Sequence, residues 1–168
     1  MVQLSHNSNT FEKRDFPIIL VCDGVNGPAN IGSLFRIAEA FGVSEIVLGN
    51  AIVDLNSARM KRTSREAHTK VPHSVSEDLF ATLLHLREGG YKLISLEISD
   101  DSSRLEDFKW NQKDKIALVL GNEANGISEE ILKESDAVLH IELFGTNSSI
   151  NVAQGTAIAL YQLTKSRQ

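Results

Sequence analysis

The sequence predicts an α/β protein with a parallel sheet, and two observations carry that prediction. Short β-branched and aliphatic runs alternate along the whole chain with segments of helical period. No internal repeat, low-complexity tract or linker interrupts the alternation. Strands separated by helices return in the same direction, which gives a layered parallel sheet.

The first strand reads as "FPIILVCDGV", from Phe16 to Val25. "NIGSLFRIAEAFGV" follows as a helix, with Asn30 placed to cap it. Projected at about 100° per residue, Ile31, Leu34, Phe35, Ala38 and Phe41 share one face, while Ser33, Arg36 and Ala40 fall opposite. Arg36 is therefore expected to point away from the core. "EIVLGN" is the second strand, "SEDLFATLLHLREGG" a helix with a glycine stop, and "YKLISLEI" the strand after it. "KIALVLGN" is a further strand, "SEEILKESD" a short helix with an acidic first turn, and "AVLHIEL" the last strand. "NSSINVAQGTAIALYQL" closes the series as a helix with a polar start and a small-residue interior, its expected face carrying Ile150, Ala153, Ala157, Tyr161 and Thr164.

A chain of 168 residues is expected to form one domain, with residues 1–15 peripheral or flexible. That length buries roughly two thirds of the unfolded surface without a disulfide scaffold. Cys22, the only cysteine, sits inside an apolar run and reads as a buried thiol in a reducing compartment. No signal peptide is apparent and nowhere do about 18 apolar residues run together. A cytoplasmic location without membrane insertion is the expectation.

The net charge of −5 argues against nucleic-acid binding by bulk attraction, yet it hides a local patch. "NSARMKRTSREAHTKVPH", residues 56 to 73, carries Arg59, Lys61, Arg62, Arg65 and Lys70 against one acid, Glu66. Such a loop is often only solvated, but it suits phosphate contacts. The five histidines, His6, His68, His73, His85 and His140, have no metal-ligand spacing, so no metal is expected.

In parallel sheets, ligands collect beyond the carboxyl ends of the strands. Three loops there are unusual: "DGVNGPANIGSLFR", "GNEANGIS" and "IELFGTNSSIN". The second leaves its strand through Gly121, returns through Gly126, and sets Glu123 between two amides, Asn122 and Asn125. Its spacing is not that of a dinucleotide fingerprint or a phosphate loop.

In order and spacing, "NIGSLFRIAEAFG", "LVLGNEANGIS" and "IELFGTNSSINVAQGTAIAL" resemble the three motifs of the SpoU (TrmH-like) RNA ribose methyltransferases of the SPOUT superfamily. The resemblance runs from about Ile18 to Leu163. It implies a Rossmann-like sheet whose C-terminal segment threads a loop to make a deep trefoil knot, a homodimer, and S-adenosylmethionine bound in the knot. Carried over, Leu96, Gly121, Ile141, Leu143, Ser149 and Ile150 contact the cofactor, and Asn30, Arg36, Glu123, Ser149 and Asn151 match the polar active-site positions. Two stretches depart from the family: Ile141, Glu142 and Leu143 stand for its Ile-Pro-Met, and Ser149, Ile150 and Asn151 for its Ser-Leu-Asn. The function implied is methylation of a ribose 2′-hydroxyl in RNA, tRNA ahead of rRNA, gripped by the basic segment. Because arginine is not deprotonated in proteins, Arg36 is expected to orient phosphate and stabilise a developing alkoxide. Two alternatives remain at this point: a knotted RNA-binding or dimerisation module without turnover, and a SPOUT methyltransferase acting on a base nitrogen.

Overall fold

The computed structural model describes residues 12–111, 114–147 and 149–165. Seven strands form one sheet in the order β3-β2-β1-β6-β4-β7-β5: β1 (Phe16–Asp23), β2 (Val43–Gly49), β3 (His73–Ser76), β4 (Tyr91–Leu96), β5 (Ser103–Arg104), β6 (Lys115–Gly121) and β7 (Ala137–His140). Every pairing is parallel, as the alternation predicts. Among the described residues five α-helices accompany them, the first four between strands and the last after β7: α1 (Pro28–Ala40), α2 (Ala58–Ser64), α3 (Leu79–Glu88), α4 (Glu129–Glu134) and α5 (Val152–Lys165).

The central strands β1 and β6 are apolar on both faces because both faces are covered. Ile18, Leu20 and Cys22 of β1, with Ile116, Leu118 and Leu120 of β6, pack in one layer with α1, α2 and α5. Ile19 and Val21, with Ala117 and Val119, pack against α3 and α4 through Leu79, Leu83 and Ile131 in the other. Burial raises the Cys22 thiol to about 12, with the nearby Glu123 carboxylate adding to the rise. A thiol held that far above neutrality is a packing group, as the apolar run around it suggests.

Several elements differ from the sequence expectation. The helix expected from Asn30 begins two residues earlier, with Gly27 at its cap and Pro28 in its first turn. Proline suits that position, since its missing N–H has no helical partner there. The last helix begins at Val152 rather than Asn147, and the polar stretch before it is irregular; Ser148 lies outside the described residues. Its buried side is Ala153, Gly155, Thr156, Ala159, Leu160, Leu163 and Thr164, whereas Tyr161 and Ile158 are exposed. The last strand stops at His140, so Ile141 to Leu143 are loop. Of the expected N-terminal segment, residues 1–11 lie outside the described residues, and Glu12 to Asp15 are exposed irregular chain ahead of β1.

The basic stretch expected to be a loop instead holds α2 and a turn of 3-10 helix, Ala67–Thr69, before running into β3. A short helix survives there because Met60 is fully buried and α1 comes close. The close approach needs Gly32, where an added Cβ would sit 2.5 Å from the Met60 carbonyl oxygen and 2.9 Å from Thr63 Cβ. α2 ends and the 3-10 turn begins with left-handed backbone at Arg65 (φ 46°) and Glu66 (φ 68°), a conformation costly for residues with side chains. α1 is thus the shared wall between the ends of the sheet and the basic helix.

Gly32→Ala is expected to force α1 and α2 apart and to lower stability by about 1–3 kcal/mol. Chemical denaturation of the variant checks this, and a loss within about 0.5 kcal/mol, the scatter of an unconstrained surface change, contradicts the close contact.

Candidate functional site

The carboxyl ends of β1, β6, β4 and β7 lie side by side, so the segments leaving them converge. Those leaving β4, β6 and β7 enclose a cavity of about 840 Å³. Its walls include Leu96 and Glu97 at the end of β4, the whole turn from Gly121 to Ile127 after β6, Ile141 and Leu143 after β7, and Ser149, Ile150 and Asn151 before α5.

The turn after β6 is a tight backbone loop. Asn122 and Gly126 exchange two backbone hydrogen bonds, at 3.1 and 2.8 Å. Gly121 is required for it: a Cβ there would lie 2.4 Å from the Gly126 carbonyl carbon and 2.5 Å from the Ile127 nitrogen. The Asn122 side chain holds the turn inside and out, with Oδ1 accepting from the Ala124 N–H at 2.8 Å and Nδ2 donating to the Gly24 carbonyl at 2.8 Å. Asp23, the last residue of β1, is buried. It accepts from Asn50 Nδ2 at 2.7 Å and from the Ser128 N–H at 2.8 Å. Buried carboxylates persist where donors replace water, and these two donors tie the ends of β1 and β2 to the start of α4.

The three loops singled out in the sequence meet through one asparagine. Asn30 Nδ2 donates to Glu123 Oε1. Asn151 Nδ2 donates to Asn30 Oδ1 at 2.9 Å. Asn151 Oδ1 in turn accepts the Ala153 N–H at 3.0 Å, so this residue caps α5. Asn30 does not make the cap expected of it at α1, where Gly27 holds the cap position; set in the first turn of that helix, it bridges instead. The relay joins residues 93 and 121 positions apart in the chain.

All six residues carried over as cofactor contacts, Leu96, Gly121, Ile141, Leu143, Ser149 and Ile150, line the cavity, together with Glu123 and Asn151. Asn30 stands just behind them, bonded to both. Arg36 is brought to a different place. It is exposed, does not line the cavity, and has no hydrogen-bond or ion-pair partner among the described residues. One turn separates it from Gly32, which sets it on the α2 side of α1. The substituted residue Glu142 faces away from the cavity and pairs with Arg104 Nη2 at 2.8 Å.

Arg59, Lys61, Arg62, Arg65 and Lys70 are all exposed. Lys61 donates to Asn56 Oδ1 at 3.1 Å and Lys70 lies 4.0 Å from Glu39, while Arg59, Arg62 and Arg65 have no ion-pair partner among the described residues. Sequence reasoning missed Asp23, Glu97 and the structural part played by Asn122. Each is a polar residue ending an aliphatic strand or directly following one, and that position was the signal.

The cavity wall carries Glu97 and Glu123, and no lysine or arginine among the described residues. Its field therefore favours a ligand with a positive centre, and its apolar walls, Leu96, Leu120, Ile141, Leu143 and Ile150, favour a flat or aliphatic body. No group of three or more His, Cys, Asp or Glu among the described residues is arranged to hold a metal ion. Nor is any described helix long and apolar enough to cross a membrane.

Comparison with known proteins points the same way. Residues 17–161 match the SpoU rRNA Methylase family. The chain is 30% identical over 145 residues to the 23S rRNA (guanosine(2553)-2′-O)-methyltransferase RlmP of Bacillus subtilis, covering 86% of this chain and 57% of that protein. It thus spans under three fifths of the length of that curated relative. An AdoMet-bound rRNA methyltransferase from Sinorhizobium meliloti has the same fold, with a TM-score of 0.83 at 24% identity over 92% of this chain and 58% of the other. A structure described as giving insight into the 2-OH methylation of C/U34 on tRNA superposes with a TM-score of 0.75 at 25% identity, covering 88% of this chain and 97% of that one.

Asn151→Ala is expected to cost about 1 kcal/mol through the missing cap and to leave the Asn30 carbonyl oxygen without its donor. Asn151→Asp retains the cap but loses the donor. Thermal melting that places the aspartate variant between the parent and the alanine variant supports the double role; an aspartate variant equal to the parent leaves only the cap, and equal losses in both variants leave only the donor.

Proposed function

The chain belongs to the SpoU rRNA methylase family, and from that membership we propose that it transfers a methyl group from S-adenosylmethionine to a ribose 2′-hydroxyl of RNA. One observation carries the proposal: a single cavity, whose rim residues Glu123 and Asn151 are bonded to Asn30 of the first loop, has in its wall every residue the family resemblance assigns to the cofactor. A volume of about 840 Å³ accommodates a ligand of that size. The apolar residues suit its adenine and side chain, and the two carboxylates suit a cation. Bound there, S-adenosylmethionine supplies a methyl group already activated by the sulfonium charge.

The protein's own residues then have two tasks, to aim a hydroxyl oxygen and to manage its proton. Glu123, Asn30 and Asn151 form a fixed polar edge to the cavity, and pre-set donors and acceptors of this kind align reactants without reorganisation. Ser149 stands on the same rim. In this proposal Arg36 orients a backbone phosphate and stabilises the oxygen as its charge develops, since its guanidinium stays protonated. Arg36 lies outside the cavity of its own chain, so the site is shared across a homodimer. Phe144, 92% exposed, and Tyr161, 57% exposed, lie with Ile158 beside a small cleft and supply an apolar surface for a second copy. A trefoil knot, with the segment from Ile141 through α5 threaded past the turn at Gly121, is part of the same proposal.

RNA is held by the exposed cations of α2 and its flank, Arg59, Lys61, Arg62, Arg65 and Lys70. Similarity over 97% of a chain described in terms of tRNA methylation supports tRNA as the target class. RNA of that kind fits a cytoplasmic protein.

Arg36→Ala is expected to keep its melting temperature and its S-adenosylmethionine affinity by calorimetry, because the side chain is exposed and outside the cavity. Single-turnover methyl transfer on the cognate RNA should fall on the order of 10²–10³-fold, as when one charge-stabilising donor is removed. Arg36→Lys should rescue little, since the planar fork is gone. Near-normal transfer by either variant removes Arg36 from the mechanism, and a parent protein that binds neither S-adenosylmethionine nor its demethylated product removes the enzyme reading altogether.

The paired change Arg62→Ala and Arg65→Ala should weaken RNA binding and reduce the slope of affinity against salt by about one unit for each phosphate that is no longer neutralised. Cofactor affinity should not move. An unchanged slope assigns these arginines to the solvated surface.

A further inference from the structure

Glu97 follows the last residue of β4, and β4 lies between β6 and β7, the two strands whose outgoing loops shape the cavity. Its backbone N–H donates to the Leu139 carbonyl at 2.9 Å, which fixes the residue between β4 and β7. The half-buried side chain lines the cavity. Oε1 accepts the Ile98 N–H at 3.0 Å and Oε2 accepts the Ile127 N–H at 3.1 Å. No cation pairs with it among the described residues. The turn after β6 closes over the carboxylate, because an added Cβ at Gly126 would lie 2.5 Å from Oε2. The group is therefore held in one orientation by backbone on two sides.

A carboxylate has about four acceptor directions, and these two N–H groups use one on each oxygen. One remains free on each, and two acceptors a carboxylate's width apart match the two hydroxyls of a vicinal diol. Apolar walls at Leu96, Leu120 and Ile127 adjoin it. An acidic side chain just beyond a parallel strand, next to a glycine turn, holds ribose hydroxyls in dinucleotide sites by the same chemistry. We propose that Glu97 is a cofactor-specificity residue that accepts hydrogen bonds from the ribose 2′- and 3′-hydroxyls of the bound nucleoside. This rests on the cofactor reading of the cavity given above.

The test uses calorimetry on the full chain with S-adenosylhomocysteine, its 2′-deoxy and 3′-deoxy analogues, and S-inosylhomocysteine, in the parent and in Glu97→Gln. The parent should bind the deoxy analogues roughly ten- to a hundredfold more weakly than S-adenosylhomocysteine, the range for a hydrogen bond to a charged group. Glu97→Gln should weaken S-adenosylhomocysteine and S-inosylhomocysteine alike and weaken each deoxy analogue by a smaller factor, since each keeps only one of the two hydroxyls. Equal weakening of all four ligands would make Glu97 only a clasp on the Ile127 turn and would overturn the proposal. So would weakening that spares the inosyl ligand alone, which assigns the carboxylate to the adenine amine. Should the glutamine variant fail to fold, as judged by melting, the parent still decides, because deoxy analogues that bind as tightly as S-adenosylhomocysteine refute the diol contact. If the parent binds none of the four ligands, it is the cofactor reading of the cavity that fails.

Discussion

The site depends on one constraint, the hydrogen-bonded junction at Asn30. Three loops leave the sheet at points far apart in sequence; the parallel ladder sets their starts side by side, but it does not bond them to one another. The Asn30 amide joins them, donating to Glu123 on the turn after β6 and accepting from Asn151 at the start of α5. An amide is the smallest group that can do this, since it offers a donor and an acceptor from one rigid plane. A carboxylate at the same place would face Glu123 with like charge, and a hydroxyl would reach only one neighbour with comparable geometry. The cap on α5 is the far end of the same relay. Helix position and cavity shape are coupled through it.

A second set of bonds lies one layer below. Asp23 and Asn122 hold the loop ends to the sheet, so the relay closes on an anchored frame. Neither residue needs to touch a ligand to matter, because a site on loops is only as exact as its supports. Glu97 is different, with acceptor capacity left over and a face on the cavity. Polar groups at strand ends thus divide into those spent on the frame and those still available.

Much of this was legible in the sequence because burial on two faces leaves a strong signal. The aliphatic runs of β1 and β6 announce central parallel strands, and the polar loops after them mark the ligand side. The basic helix was not legible: α2 is only seven residues long, and its stability comes from Met60 and from the gap left by Gly32. Tertiary contact of that kind leaves no periodic trace in so short a segment. The start of α5 was placed too early for a related reason. Asn147, Ser149 and Asn151 all have capping side chains, and which one caps is decided by what its other atoms bond to, here Asn30. The use of Arg36 is a further example, for an outward position can be read from the helix projection but what the side chain does there cannot.

The central claim is that this cavity, fixed by the junction at Asn30, directs a methyl group to a ribose hydroxyl. Mapping ribose methylation across total RNA from cells with and without the gene tests it most directly. The account predicts that 2′-O-methylation disappears at one or a few defined nucleotides, in tRNA, and returns when the purified protein and S-adenosylmethionine are added to the undermethylated RNA. Ribose methylation unchanged at every position, or the loss of a base methyl group instead, would contradict it.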